Sequence, residues 1–424
     1  RSLYIINTIV NDFPIISFIL KSIHVHKIIL ILYFTFLYSD CCNMEMVGYM
    51  NFGELGSDIT GFSQDSNEYA VVGLYNYTAA IVDITDPKKP IEISRISGST
   101  NIWRDLKYWN RHLYIGTEAA DGIKIINVDN PANPILVNTI SDFTNSHNIH
   151  IDSDGFLYIV GADTHHIWIY NLNNPASPEF VGSWQGEYLH DIDVYNNKIY
   201  GAAINSGYFY IIDVSDKTEP KTLVKHFTGL DGISTHDCAV HKNEKILVTA
   251  DETWGGHIKI WDIEHYDNIN LLSEYQSSEN SSAHNIYLRY EDVTERPILV
   301  ISYYVDGTRL IDISIPTIPV EIGYFDTSDM NGLYDGNWGT YAHLPSGYII
   351  SSDRQNGLYI FSSPLTDNNL HWSDCAQVVG DNATCYGDIY LTESGILQEF
   401  INVNLEINHL TPDSIGNFIG GRLA

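Results

Sequence analysis

The chain has 424 residues, enough for one large repeat domain or two smaller domains. Apolar residues make up 44% and aromatics 12%, with 29 Tyr, which supplies a packed core of the kind strand-rich chains have. A formal net charge of -31 repels phosphate backbones and so excludes nucleic acid as a partner; it suits divalent cations, cationic ligands or solubility in salt.

Residues 1–24 have no repeat character and read as a segment upstream of the mature protein. Residues 27–41, KIILILYFTFLYSDC, place one Lys before an apolar run and then a short polar stretch. That length fits a signal-peptide core and is too short to span a bilayer. Asp40 stands before Cys41 where a cleavage site expects a small residue, so a buried segment is the alternative. The expectation is an upstream segment and signal peptide over 1–42, and a secreted or cell-surface protein. Cys41 and Cys42 flank the cleavage point, and Cys238 reads as a small buried residue. Cys375 and Cys385 are able to pair if the chain is exported. No second apolar run is long enough for a membrane span.

From residue 43 the chain repeats. EMVGYM, from Glu45, is a short strand. A Pro-bearing phrase then recurs as DITDPKKP from Asp83, NVDNPANP from Asn127, NLNNPASP from Asn171, DVSDKTEP from Asp213 and DISIPTIP from Asp312, with a worn copy, DIEHYDNI, from Asp262. The starts lie 44, 44, 42, 49 and 50 residues apart, a period that marks a repeat array. Each unit has four parts, as residues 146–184 show: SHNIHID, FLYIVGAD, HIWIYNL and EFVGSW, separated by turns. Alternation bounded by Asp, Asn, Gly and Pro argues for strands. Pro after Asp or Asn suits the second position of a type I turn. Four strands per unit is the pattern of a β-propeller blade. Seven second strands can be counted, from YAVVGLY to YIISSDR, but the seventh unit stops at Phe361 without a fourth strand. EMVGYM resembles the fourth strands EFVGSW and EIGYF. The prediction is an all-β, seven-bladed propeller over 43–363, its last blade closed by the N-terminal strand.

Phrases such as LIDISIPTIPVEIG and IIDVSDKTEPKTLV resemble LVIVD repeats. The ordered set YAVVGLYNYTAAIVDITDPKKP, SHNIHID, THDCAVH, AHNIYL and GNWGTYAHLPSGYIISSDRQNGLYIF resembles the choice-of-anchor B proteins, exported bacterial LVIVD propellers, over roughly residues 44–362. The resemblance implies the fold and export; it implies no reaction.

Four units open with the same dipeptide type: His147-Asn148, His190-Asp191, His236-Asp237 and His284-Asn285. Arg104-Asp105, after Trp103, takes the place in the second unit, Ser57-Asp58 in the first and Asn337-Trp338 in the seventh. Inner strands border the channel, and their starts share a rim with the loops after the second strands, which hold Glu118, Asp163, Asp251, Glu252 and Asp353. The imidazoles and acids are therefore expected at one channel mouth. Structural ties between blades are one reading. A ligand pocket is another, and a metal site or metal-dependent enzyme using the four His a third. A single-ion site needs neighbouring imidazoles closer than ~7 Å. His165-His166 reads as a solvated loop. No GxSxG, P-loop, HExxH or CxxC motif occurs.

The tail, residues 364–424, breaks the rhythm and carries the alternating stretch ILQEFINVNLEI. It reads as a β-rich appendage or an anchoring or sorting segment, with C-terminal or lipid anchoring both open. The functional expectation is a monomeric, exported binding platform whose partner is a protein, glycan or small molecule. The alternative is a metal-binding protein or metal-dependent enzyme with a divalent ion as cofactor.

Overall fold

A computed structural model describes residues 41–162, 166–229, 234–292 and 294–366, and the four short strands of the tail. The chain divides into Arg1–Asp40, which lies outside the described residues and holds all but the last two residues of the expected upstream segment and signal peptide, and Cys41–Ala424. No helix occurs among the described residues.

Seven antiparallel sheets form the blades of a β-propeller. The inner strands are Gly56–Gln64, Arg104–Trp109, Asn148–Ile151, Ile192–Tyr195, Thr235–Val240, Ile286–Tyr290 and Asn337–Tyr341. Each lies beside its neighbours in chain order, and the last lies beside the first. The seventh blade is completed by Glu45–Met50, which pairs antiparallel with Gly357–Ser362 from Glu45↔Ser362 to Met50↔Leu358. The predicted closure is thus what the structure shows, and it removes the open edge a linear array would leave.

Blade 6 carries an addition that alternation did not signal. Cys41–Cys42 forms a fifth strand, pairing Cys41↔Phe325 and Cys42↔Tyr324. Cys42 is disulfide-bonded, and the buried Cys238 is a free thiol. The pairing expected of Cys375 with Cys385 concerns side chains outside the described residues. The tail holds two two-stranded sheets, Ala376–Val379 with Asn382–Cys385 and Ile389–Leu391 with Leu397–Phe400.

Second and third strands are apolar on both faces because each blade is covered by the next. Val72, Ala80 and Val82 of blade 1, for example, pack with Ile350, Leu358 and Ile360 of blade 7.

The repeating phrase has a physical reason. Asp83 Oδ1 accepts from the Thr85 amide at 3.0 Å, and Asp86 Oδ1 accepts from the Lys88 amide at 3.2 Å. The Lys89 amide then closes the β-turn on the Asp86 carbonyl at 2.9 Å, with Pro87 in the second position. Blade 4 repeats this with Asp213 on Ser215 at 2.8 Å and Asp216 on Thr218 at 3.0 Å. Two side-chain caps three residues apart fix the Asp-x-x-Asp spacing. The worn copy keeps the first cap, Asp262 on Glu264 at 3.0 Å, and the closing bond of Asn268 to His265 at 2.9 Å.

This turn also spaces the blades. The fourth strand of one blade lies against the turn of the next. Ser94 donates to the Pro131 carbonyl at 2.8 Å, and Ser273 to that of Pro316 at 2.6 Å. Where no hydroxyl is present, glycine lets the backbones meet: a Cβ on Gly48 would lie 1.9 Å from the Pro87 oxygen, and one on Gly182 2.2 Å from the Lys217 oxygen.

Gly48→Val therefore forces the closing strand away from blade 1. The expected cost is about 1–3 kcal/mol, the range for overpacking, read as a lower urea midpoint with an unchanged slope. An unaltered midpoint would show that this contact does not hold the ring closed.

Candidate functional site

The four His residues stand within two residues of the first residue of an inner strand. The His147, His190 and His284 amides bond the second strands of their own blades, to the carbonyls of Val160 at 3.0 Å, Ala202 at 2.7 Å and Ser302 at 2.9 Å. The strand starts converge toward the axis, so the side chains meet. Ring centroids are 3.7 Å apart for His147 and His190, 4.2 Å for His190 and His236, and 4.4 Å for His236 and His284. The row continues to Tyr304 at 4.8 Å and Trp338 at 5.1 Å from His284. These separations fall inside the limit for a shared ligand.

Hydrogen bonds sort the imidazoles. His147 Nδ1 lies 2.6 Å from Glu118 Oε1. Burial works to lower His147, but the bond to Glu118 and surrounding acids hold it above its ordinary value. Burial works to raise Glu118, and His147 brings it below the usual carboxylate range. His190 Nδ1 and His236 Nδ1 lie 3.3 and 3.4 Å from the two oxygens of Asp191. Burial and the neighbouring His147 push His190 down. His236 is only 1% exposed, and neither of its ring nitrogens makes a hydrogen bond. Burial and the adjacent imidazoles hold it well below its ordinary value. His284 Nδ1 donates to the Trp338 carbonyl at 2.5 Å, and burial pushes it down to about 3.

Glu252 faces two of these rings. Its oxygens lie 3.8 Å from His236 Nε2 and 3.7 Å from His284 Nε2. Tyr304 donates to it at 2.6 Å. Burial nevertheless pushes Glu252 up to about 7.

Of the other expected residues, Arg104 and Trp338 line the opening beside His147, His236 and His284, together with Trp103. Arg104 donates to Thr117 Oγ1 at 2.6 Å and to the Ser99 carbonyl, and burial pushes it down to about 10. Asp105 borders the opening too, but its oxygens accept from the Ile149 amide at 2.6 Å and the Leu106 amide at 2.7 Å. It is an inter-blade tie. Asp163 lies outside the described residues.

Asp251 and Asp353 do not join the cluster. Asp251 pairs with buried Lys259 Nζ at 2.7 Å. Asp353 accepts from Thr327 Oγ1 at 2.8 Å and from the Gln355 and Asn356 amides. Each ends its second strand, and successive residues point to opposite faces. The residue one place later is the one that reaches the mouth. Aligning ILVTADE, ILVISYY and YIISSDR puts Glu252, Tyr304 and Arg354 in that place; Arg354 stands 5.5 Å over the Trp338 ring. That alignment is the signal for Tyr304 and Arg354. Asp191 could be found from its own dipeptide.

The LVIVD repeat family model matches residues 65–97 and 188–228, in blades 1 and 4. No curated protein matches the chain. Fold and repeat together define the class: a seven-bladed β-propeller that carries LVIVD repeats.

The imidazoles should separate by charge in an NMR titration of chelator-treated, His-labelled protein. The value of about 3 leaves His284 neutral at pH 5, His236 should protonate only below the ordinary midpoint of about 6.5, and His147 should stay protonated above it. A His284 imidazolium at pH 5 would contradict this arrangement.

Proposed function

We propose that this propeller is an exported binding platform whose ligand enters at the His- and acid-lined mouth. The observation that carries the reading is His236, buried at the centre of the row with both nitrogens lacking hydrogen bonds. Buried polar groups in native proteins have partners, and a ligand is the partner this one lacks. The mouth is also chemically one-sided, with imidazoles on one arc and Arg104, Trp103 and Trp338 on the other. The opening holds only about 20 Å³, roughly the room of one water molecule and far below the ~300–1,000 Å³ of drug-sized pockets. It suits one functional group of a glycan, small molecule or protein segment. The export part of the reading is supported by the disulfide at Cys42, by the apolar run over 27–41, and by the resemblance to choice-of-anchor B proteins.

Trp103 is 44% exposed and so can be changed at little structural cost. A thermal-shift screen of mono- and oligosaccharides, amino acids and small carboxylates is run on the full chain and on Trp103→Ala. Compounds that raise the melting temperature of the parent should lose at least half of that shift in the variant. Equal shifts in both would place the ligand elsewhere and contradict the reading.

A further inference from the structure

We propose that His236 Nε2, His284 Nε2 and the Glu252 carboxylate hold one divalent transition-metal ion. The inference rests on the mouth being the ligand site and names what that site contains.

His284 is held in one tautomer. The Trp338 carbonyl can only accept, so His284 Nδ1 carries the hydrogen. In a neutral imidazole the other nitrogen is then a bare lone pair, and His284 Nε2 faces Glu252 Oε1 at 3.7 Å. His236 Nε2 faces Glu252 Oε2 at 3.8 Å and makes no hydrogen bond. His284 Nε2 and Glu252 Oε1, both acceptors, are thus buried and turned toward one another, which is unfavourable unless something positive lies between them.

The spacing says what. Both separations exceed hydrogen-bond range. Ligands bound at ~2.1 Å in a tetrahedron stand about 3.4 Å apart, a few tenths of an ångström less than the observed values. Ligand atoms of His236, Glu252 and His284 all lie within 4.8 Å of one another. Small rotamer adjustments bring them to a common centre.

Two ligands are oriented from behind, as metal ligands are. Trp338 fixes the His284 ring, and the Tyr304 hydroxyl, 2.6 Å from Glu252, fixes the carboxylate. Two imidazoles and one carboxylate favour zinc, cobalt, nickel or copper over calcium or magnesium, which take all-oxygen shells. Three protein ligands leave a fourth position, through which an external ligand bearing an oxygen or nitrogen donor would attach.

A second triple, His147, His190 and His236, also has ligand atoms within 4.8 Å of one another. That triple contains three imidazoles and no carboxylate, whereas Glu252 adds negative charge that offsets the charge of an ion, so the Glu252 side is the better centre.

The test is zinc titration of the chelator-stripped full chain by calorimetry, in 150 mM salt with excess magnesium to saturate the acidic surface. One zinc per chain is expected, and cobalt should give visible d–d bands. Glu252→Gln, which can still accept from Tyr304, and His284→Gln should each weaken zinc at least tenfold and abolish the cobalt bands. Circular dichroism of the variants should be unchanged. Absence of a site above the magnesium-competed background overturns the proposal. So does tenfold loss in His147→Gln with parent-like binding in the other two. Repeating the thermal-shift hits on stripped protein separates the two readings. Hits that persist there leave the platform standing without the metal, whereas zinc binding with Trp103-independent hits removes the platform alone.

Discussion

Three inner-strand carboxylates each reach across a blade boundary to a backbone amide of the next blade. Asp105 accepts from Ile149 at 2.6 Å, Asp193 from Val240 at 2.9 Å and Asp237 from Ile286 at 2.8 Å. A propeller brings seven inner strands to one axis, where a polar group must be paired within the protein. These ties meet that demand and fix the height of one inner strand against the next. Asn285 adds a bond to Asp58 at 3.2 Å across the seventh blade. Once the heights are set, residues that precede the ties share a level, and the four imidazoles cannot avoid contact.

The outer rim works by another device. Paired side-chain caps make one turn shape, and the serine or glycine of the preceding fourth strand fits against it. Inner carboxylates set height and outer turns set spacing. The two together explain why a chain so acidic tolerates buried acids at its centre. Asp237 and Asp58 are pushed well above the carboxylate range, first by burial and then by a neighbouring Asp. Lys107 Nζ, 2.5 Å from Asp105, supplies positive charge below the mouth.

The architecture was legible because its signals are repeated. Period, Pro turns and the unmatched strand EMVGYM were enough to deduce seven blades and their closure. The His row was legible for the same reason, since register carries equivalent residues to one rim. What single positions decide was not. Asp251 and Glu252 are adjacent and equally acidic, yet the pleat sends one to Lys259 and the other to His284. Tyr304 carries no acid or imidazole to mark it. The two-residue strand at Cys41–Cys42 is too short for alternation to show. The roles of Asp105, Asp191 and Asp237 in the second place of their dipeptides depend on distances only the fold supplies.

Carboxylate ties between blades hold the inner strands in the register that assembles the mouth. Native-state amide exchange tests this most directly. The amides of Ile149, Val240 and Ile286 should exchange only with global unfolding, although no strand partner of their own blade accounts for that protection. Asp237→Asn should speed exchange at Ile286 by at least tenfold while leaving Ile149 and Val240 near their parent rates. Fast exchange at these three amides in the parent protein, or no local effect of Asp237→Asn, would contradict the account.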